Sequence, residues 1–195
     1  MPTEFESNSS TSRQDSLSGN SHSVGTIEST DFIINEDKPI DIPSKIDDSE
    51  PIVRIIFNPY HVDKAKKKVK SAAFKPPPNI DQVSVIRHQY QDADFCRTQG
   101  KNMSTDDKTY LGLAVLTCLQ IKEAGSDIVD SPKQFRGHAD IVHGYIPQRG
   151  VPTPPEIEMK LQALAKAVNY HPDPDLAASH WTGPTPLPTK PNQKV

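Results

Sequence analysis

Residues 110–121 carry the densest apolar run of the chain, with Leu111, Leu113, Ala114, Val115, Leu116, Cys118, Leu119 and Ile121. Wound as a helix, these side chains point in almost every direction, and a helix that is apolar all round must be buried on most sides. Just ahead of it, Ser104-Thr105-Asp106-Asp107 offers capping oxygens and negative charge for a first turn, and Gly125 offers a stop. The pattern predicts a buried helix at the centre of the core, and everything else has to be arranged around it.

Two other segments read as strands. Ile52-Val53-Arg54-Ile55-Ile56-Phe57 is β-branched and aromatic, apolar on both alternating faces except at Arg54, and closed by Asn58-Pro59. Asp81-Gln82-Val83-Ser84-Val85-Ile86-Arg87 alternates apolar and polar, as a half-buried strand does. A third strand is expected over residues 139–146, after the Gly137 break, whereas Ile128-Val129 is too short to assign. Residues 92–102 read as a short helix or loop. Thr153-Pro154-Pro155-Glu156 has the capping-box pattern, and Ile157, Leu161, Leu164 and Val168 then form one apolar stripe on a helix ending near Asn169. The expected fold is α+β: a small sheet of about three strands packed on a central buried helix and a C-terminal amphipathic helix.

Nineteen prolines against nine glycines, with 34% hydrophobic residues, leave too little apolar surface to order the whole chain. The deficit is concentrated at the ends. Residues 1–50 are Ser/Thr-rich, then acidic, and read as a disordered tail in which only Phe32-Ile33-Ile34 offers a docking islet. Residues 51–170 read as one domain, and residues 171–195 as a proline-rich irregular segment in which Trp181 is the only large apolar group. Cys96 and Cys118 have no finger or CxxC spacing, so neither a disulfide framework nor a zinc ribbon is expected. The sequence has no signal-peptide pattern and no apolar run long enough to span a membrane, which predicts a cytoplasmic protein without membrane partners. Charge is unevenly spread. Residues 1–50 hold eleven acidic and three basic side chains, and residues 51–108 hold six acidic and eleven basic ones, which suggests that the two stretches address different partners or each other.

Arg54, Pro59, His61-Val62, Ser71-Ala72-Ala73-Phe74, Val83-Ser84-Val85 and Gly137-His138-Ala139-Asp140-Ile141 together resemble a set of small, functionally unassigned bacterial proteins. The resemblance spans about residues 52–146 and implies a bacterial single-domain protein. It carries over no catalytic residues. This chain departs from the set in the lysines inserted at 64–70, the long N-terminal tail and the proline-rich end.

Two patches can carry function. Lys64, Lys66, Lys67, Lys68, Lys70 and Lys75 crowd six cations into twelve residues, enough to neutralise several phosphates or an acidic surface. Only Tyr60 and Phe74 lie near as stacking aromatics, and the plain alternative is a solvated, solubilising turn. In the second patch His138 and Asp140 would share a strand face, with His143 on the other, which suits an acid/base pair better than a closed metal site. Arg87, His88 or Lys101 would steady an oxyanion in such a site, although a His and an Asp at a strand end are more often satisfied by backbone and turn hydrogen bonds. An iron triad of His138, Asp140 and His171 lacks the surrounding strands such sites need. Cys96, next to Arg97, has no partner histidine that would make it a nucleophile. Glycine-rich phosphate loops, GxSxG and HExxH are absent, and no cofactor or metal is expected. The leading expectation is therefore a non-enzymatic accessory or adaptor protein of a bacterial multi-component system, acting on a protein partner. A small His/Asp phosphoester- or nucleotide-processing enzyme and a nucleic-acid-binding protein are the alternatives.

Overall fold

The computed structural model describes residues 42–132 and 134–190, so the readings of residues 1–41, including the Phe32-Ile33-Ile34 islet, lie outside the described residues. Its elements run β1 (Pro51–Asn58), β2 (Val62–Asp63), β3 (Lys68–Val69), a 3-10 turn (Ser71–Phe74), β4 (Gln82–Arg87), α1 (Ala93–Asn102), β5 (Thr109–Thr117), α2 (Cys118–Glu123), β6 (Asp127–Asp130), β7 (His138–Val142), α3 (Pro155–Ala167) and β8 (Asn169–Pro172). Six strands form one antiparallel sheet in the order β6-β7-β4-β1-β5-β8, and β2 and β3 form a separate hairpin.

This corrects the expected three-stranded sheet on a central helix. Residues 109–117 are not helical: they form β5, paired along its whole length with β1. An apolar run with no polar face satisfies a strand covered on both sides as well as it satisfies a buried helix. Leu113 and Val115 face one layer, Ala114 and Leu116 the other, and all four are buried. Only the end of the run turns helical, at α2, where Thr117 and Gln120 form the capping box: the Thr117 hydroxyl accepts from Gln120 N, and the Gln120 side chain accepts from Thr117 N. At α3 the N-cap is Pro154, and no side chain caps the helix there. The stripe Ile157, Leu161, Leu164 and Val168 is buried, as its spacing requires.

One face of the sheet packs under α2, α3 and the 3-10 turn, with Phe74, Ile121, Ile141 and Leu164 at its centre. The other face packs under α1 and residues 173–190, which bring in Trp181 and Leu187. Those residues are tied down by polar contacts. Arg97 donates to the Asp173 carboxylate at 2.7 Å and to the Ala178 carbonyl at 2.6 Å, and Trp181 N donates to Asp94. At the other end of the chain, residues 42–50 also pack onto the domain through buried Ile46 and Glu50.

The sheet forks. β1 pairs with β5 over eight residues, but with β4 only at Ile52↔Arg87 and Val53↔Ile86. Beyond that point β4 pairs only with β7, and the Arg54 side chain reaches across the opening to the Ser84 carbonyl at 2.8 Å and the Ala73 carbonyl of the 3-10 turn at 2.9 Å. No helix among the described residues is long and apolar enough to cross a membrane.

Candidate functional site

Antiparallel pairing sends the chain back and forth between two ends of the sheet. At one end β1 and β7 finish while β4, β5 and β6 begin. All six predicted lysines lie at that end, five on loops and Lys68 on β3, and all are exposed. Lys64, Lys66, Lys67 and Lys68 occupy the turn and far strand of the β2–β3 hairpin, Lys70 follows it, and Lys75 follows the 3-10 turn. Val62 and Val69 are buried and pin the hairpin to the core, so the lysines must project. The turn itself is built by Asp63, whose Oδ1 accepts from Ala65 N at 3.1 Å and Lys66 N at 3.2 Å, and by Lys67 in the left-handed region at φ 52°. Lys66 lies 3.8 Å from Asp63, but Lys64, Lys67, Lys68 and Lys75 pair with no carboxylate among the described residues.

The same end carries exposed apolar side chains. Tyr60 in the β1–β2 turn is 54% exposed, and Ile80, Met103, Ile146 and Val151 are exposed on the loops beside β4, β5 and β7. The Ile80 and Ile146 loops touch each other, Asn79 N donating to the Pro147 carbonyl at 2.9 Å. Phe74, the other aromatic of the lysine segment, is fully buried and takes no part.

The four residues considered for catalysis do not converge. His138 and Asp140 share one face of β7, as their spacing requires, and both are buried. Arg87 lies on the opposite face of the sheet, wholly buried. Its Nε and Nη2 donate to Glu50 at 2.6 and 2.9 Å, and Nη1 donates to Asp130 at 2.8 Å and to the Pro43 carbonyl at 2.7 Å. Burial works against its charge, but the hydrogen bonds to Glu50 and Asp130 outweigh it and hold the guanidinium above its ordinary pKa. Four of its five N–H groups are thereby committed to internal acceptors, and the side chain is wholly buried, out of reach of a substrate. His88 donates from Nδ1 to the Gln91 carbonyl at 2.9 Å and accepts from Leu187 N at 3.4 Å, so it anchors the C-terminal stretch. Lys101 does the same through the Ala178 carbonyl.

His138 and Asp140 are bridged by a residue the sequence reading passed over. Ser131 donates its one hydroxyl proton to Asp140 Oδ2 at 2.6 Å, so the proton between Ser131 Oγ and His138 Nδ1, 2.7 Å apart, must come from the imidazole. The order His138 to Ser131 to Asp140 runs opposite to that of an activated nucleophile, in which the imidazole takes the serine proton. His138 Nε2 is buried without a partner among the described residues, 5.1 Å separate the ring from that of Phe135, and the Asp140 carboxylate stands 4.0 Å from Nδ1. His143 faces the other layer, between the Ser126 hydroxyl and the Phe74 carbonyl, and burial depresses its pKa. Cys96 is buried, and burial, with the nearby Asp92, pushes its thiol up and away from reactivity. No group of three metal-ligating side chains occurs among the described residues.

Set against models of known families, curated proteins and solved structures, the chain matches none of them.

Proposed function

We propose that this chain is a non-enzymatic adaptor, a cytoplasmic accessory protein of a bacterial multi-component system, that docks an acidic partner protein on the loop end of its sheet. The observation that supports this reading is the gathering at one end of six exposed lysines, four of them unpaired among the described residues, beside Tyr60, Ile80, Met103, Ile146 and Val151. Apolar side chains beside a cluster of cations suit a protein surface of complementary charge: the apolar groups supply burial, and the lysines supply orientation and rate of encounter. The buried histidine, aspartate and arginine are committed to internal contacts, which favours binding over catalysis. The test is purification of wild-type chain and of a K64E/K66E/K67E/K68E variant from the native cells after nuclease treatment. Recovery of a stoichiometric protein with wild type and its loss with the variant supports the reading. Equal recovery with both overturns it.

Exposed Tyr60 beside the lysines also favours a second reading, single-stranded nucleic acid, since bases stack on an exposed ring while cations follow the backbone. That reading requires binding that weakens steeply with salt and falls on substitution Y60A.

A further inference from the structure

Three arginines reach into the domain, and two of them are neutralised. Arg87 has Glu50 and Asp130, and Arg97 has Asp173. Arg54 has no carboxylate among the described residues. Its acceptors are the Ala73 and Ser84 carbonyls, taken by Nε and Nη1. Nη2 has no hydrogen-bond partner among the described residues, and the residue as a whole is half-buried. Its two N–H donors are therefore unused. The groups around it add no negative charge. Burial, the charge of Arg54 and then that of Lys108 pull His61 down to about 3, so the imidazole stays neutral. Burial draws Arg54 itself down to about 10. A desolvated cation without a counter-charge is an expensive thing for a fold to keep. Here it stands where β1 and β4 part, with its planar donor fork fixed from behind by two carbonyls.

We propose that the mouth of this fork is an oxyanion site, with Arg54 Nη2 donating to a phosphate or carboxylate group. A guanidinium already oriented by two bonds presents its remaining N–H groups in the geometry such anions accept. The bound anion would supply the counter-charge that is absent at this position among the described residues. The site is separate from the hairpin lysines and does not depend on the adaptor reading. Its ligand is either a phosphate-bearing small molecule or a carboxylate side chain of a partner.

The experiment is thermal unfolding of the full chain in phosphate, in acetate and in chloride at equal ionic strength and pH. It compares wild type, R54M, R54K and a K64Q/K66Q/K67Q/K68Q variant. At about ten times its Kd, a bound anion raises the Tm of a domain this size by about 3 to 6 °C over chloride. That shift is expected in wild type and in the lysine variant and is lost in R54M. In chloride R54M melts at or above wild type, because it removes an unpaired charge. Should R54M fail to fold, R54K serves instead: it keeps the charge and loses the fork, and is expected to need at least about tenfold more anion. General salting effects of phosphate shift every variant alike, so the difference between variants is the reading. A shift with phosphate alone identifies a phosphate-bearing ligand, and equal shifts with acetate identify a carboxylate. The proposal is overturned if wild type gains nothing over chloride or if the gain survives in R54M and R54K. It is equally overturned if the gain vanishes in the lysine variant, which would move the anion to the hairpin and leave the adaptor reading standing.

Discussion

Replacing Glu50 with Gln tests whether Arg87 is a structural cation. The Glu50 carboxylate takes two of the four hydrogen bonds that Arg87 makes, at 2.6 and 2.9 Å, and the two side chains are 2% and 0% exposed. Removing one partner of a buried pair costs about 3 to 5 kcal/mol, because the other charge stays behind without its counter-ion. Asp130 remains at 2.8 Å and is 11% exposed, so part of the compensation survives and the lower end applies, about 3 kcal/mol. In a chain of this length each kcal/mol lowers Tm by about 2 to 4 °C, so E50Q should melt about 6 to 12 °C below wild type. The control is D48N, which breaks the exposed Asp48–Lys122 pair at 2.6 Å and should leave Tm unchanged. Differential scanning calorimetry reads both. An apolar replacement of the pair, E50L/R87M, should recover much of the loss, since Asp130 can then turn toward water. If E50Q and D48N melt together at the wild-type temperature, the Glu50–Arg87–Asp130 network does not hold the fold, and Arg87 becomes available again for a functional role.

Acid should destabilise the domain through its histidines. The folded-state pKa of His61 is lowered from 6.5 to about 3, so its contribution is complete above about 6.5 and is lost as pH falls toward 3; His143 and His171 shift in the same direction. H61Q should flatten the fall of Tm between about pH 7 and 4. Trp181, the only tryptophan, is buried on the second face; W181A should cost about 3 kcal/mol, and wild-type emission should shift to the red as the C-terminal stretch detaches on unfolding. Gly112 lies where β5 meets β8, and a Cβ there would meet the His171 carbonyl and stand 2.8 Å from Pro172 Cα. G112A should therefore break the β5–β8 pairing, seen as faster exchange of the β5 amides that point to β8, with those that point to β1 still protected.

Single elements were legible where a segment had one polar face to orient it, although the six-stranded sheet they join was not. Val83 and Val85 alternate with Gln82 and Ser84 in β4, and the stripe from Ile157 to Val168 is the buried face of α3. Where both faces are covered, the sequence loses that marker. Residues 109–117 fit helix and strand equally by composition, and only the partner strands on either side decide between them. β6 holds four residues and β8 ends in a proline, so both depend on an existing sheet edge rather than on their own propensity. The lysine segment was readable as a patch because charge needs no tertiary information to be seen. Its company of exposed apolar loops was not readable, because those loops are distant in sequence and are gathered by strand direction alone. The shared face of His138 and Asp140 followed from period-two spacing, but Ser131 between them is placed by the β6–β7 turn, a long-range fact. Arg54 stood out as the one polar residue of its strand. Nothing in the sequence distinguishes an arginine with a carboxylate partner from one without.

The fork gives the domain a mechanical character that a continuous sheet would lack. Strands β6, β7 and β4 form one arm and β1, β5 and β8 the other, riveted together at Ile52–Arg87 and Val53–Ile86 like the jaws of a pair of tongs. Each jaw is internally laddered, so the two residue pairs at the rivet are the only strand pairing that joins them among the described residues. The 3-10 turn is the wedge between the jaws, holding the β1 jaw through Ala73 and Arg54 and the β7 jaw through Phe74 and His143. Whatever pulls on the lysine hairpin, which leads directly into that wedge, therefore pulls on the spacing of the jaws as well.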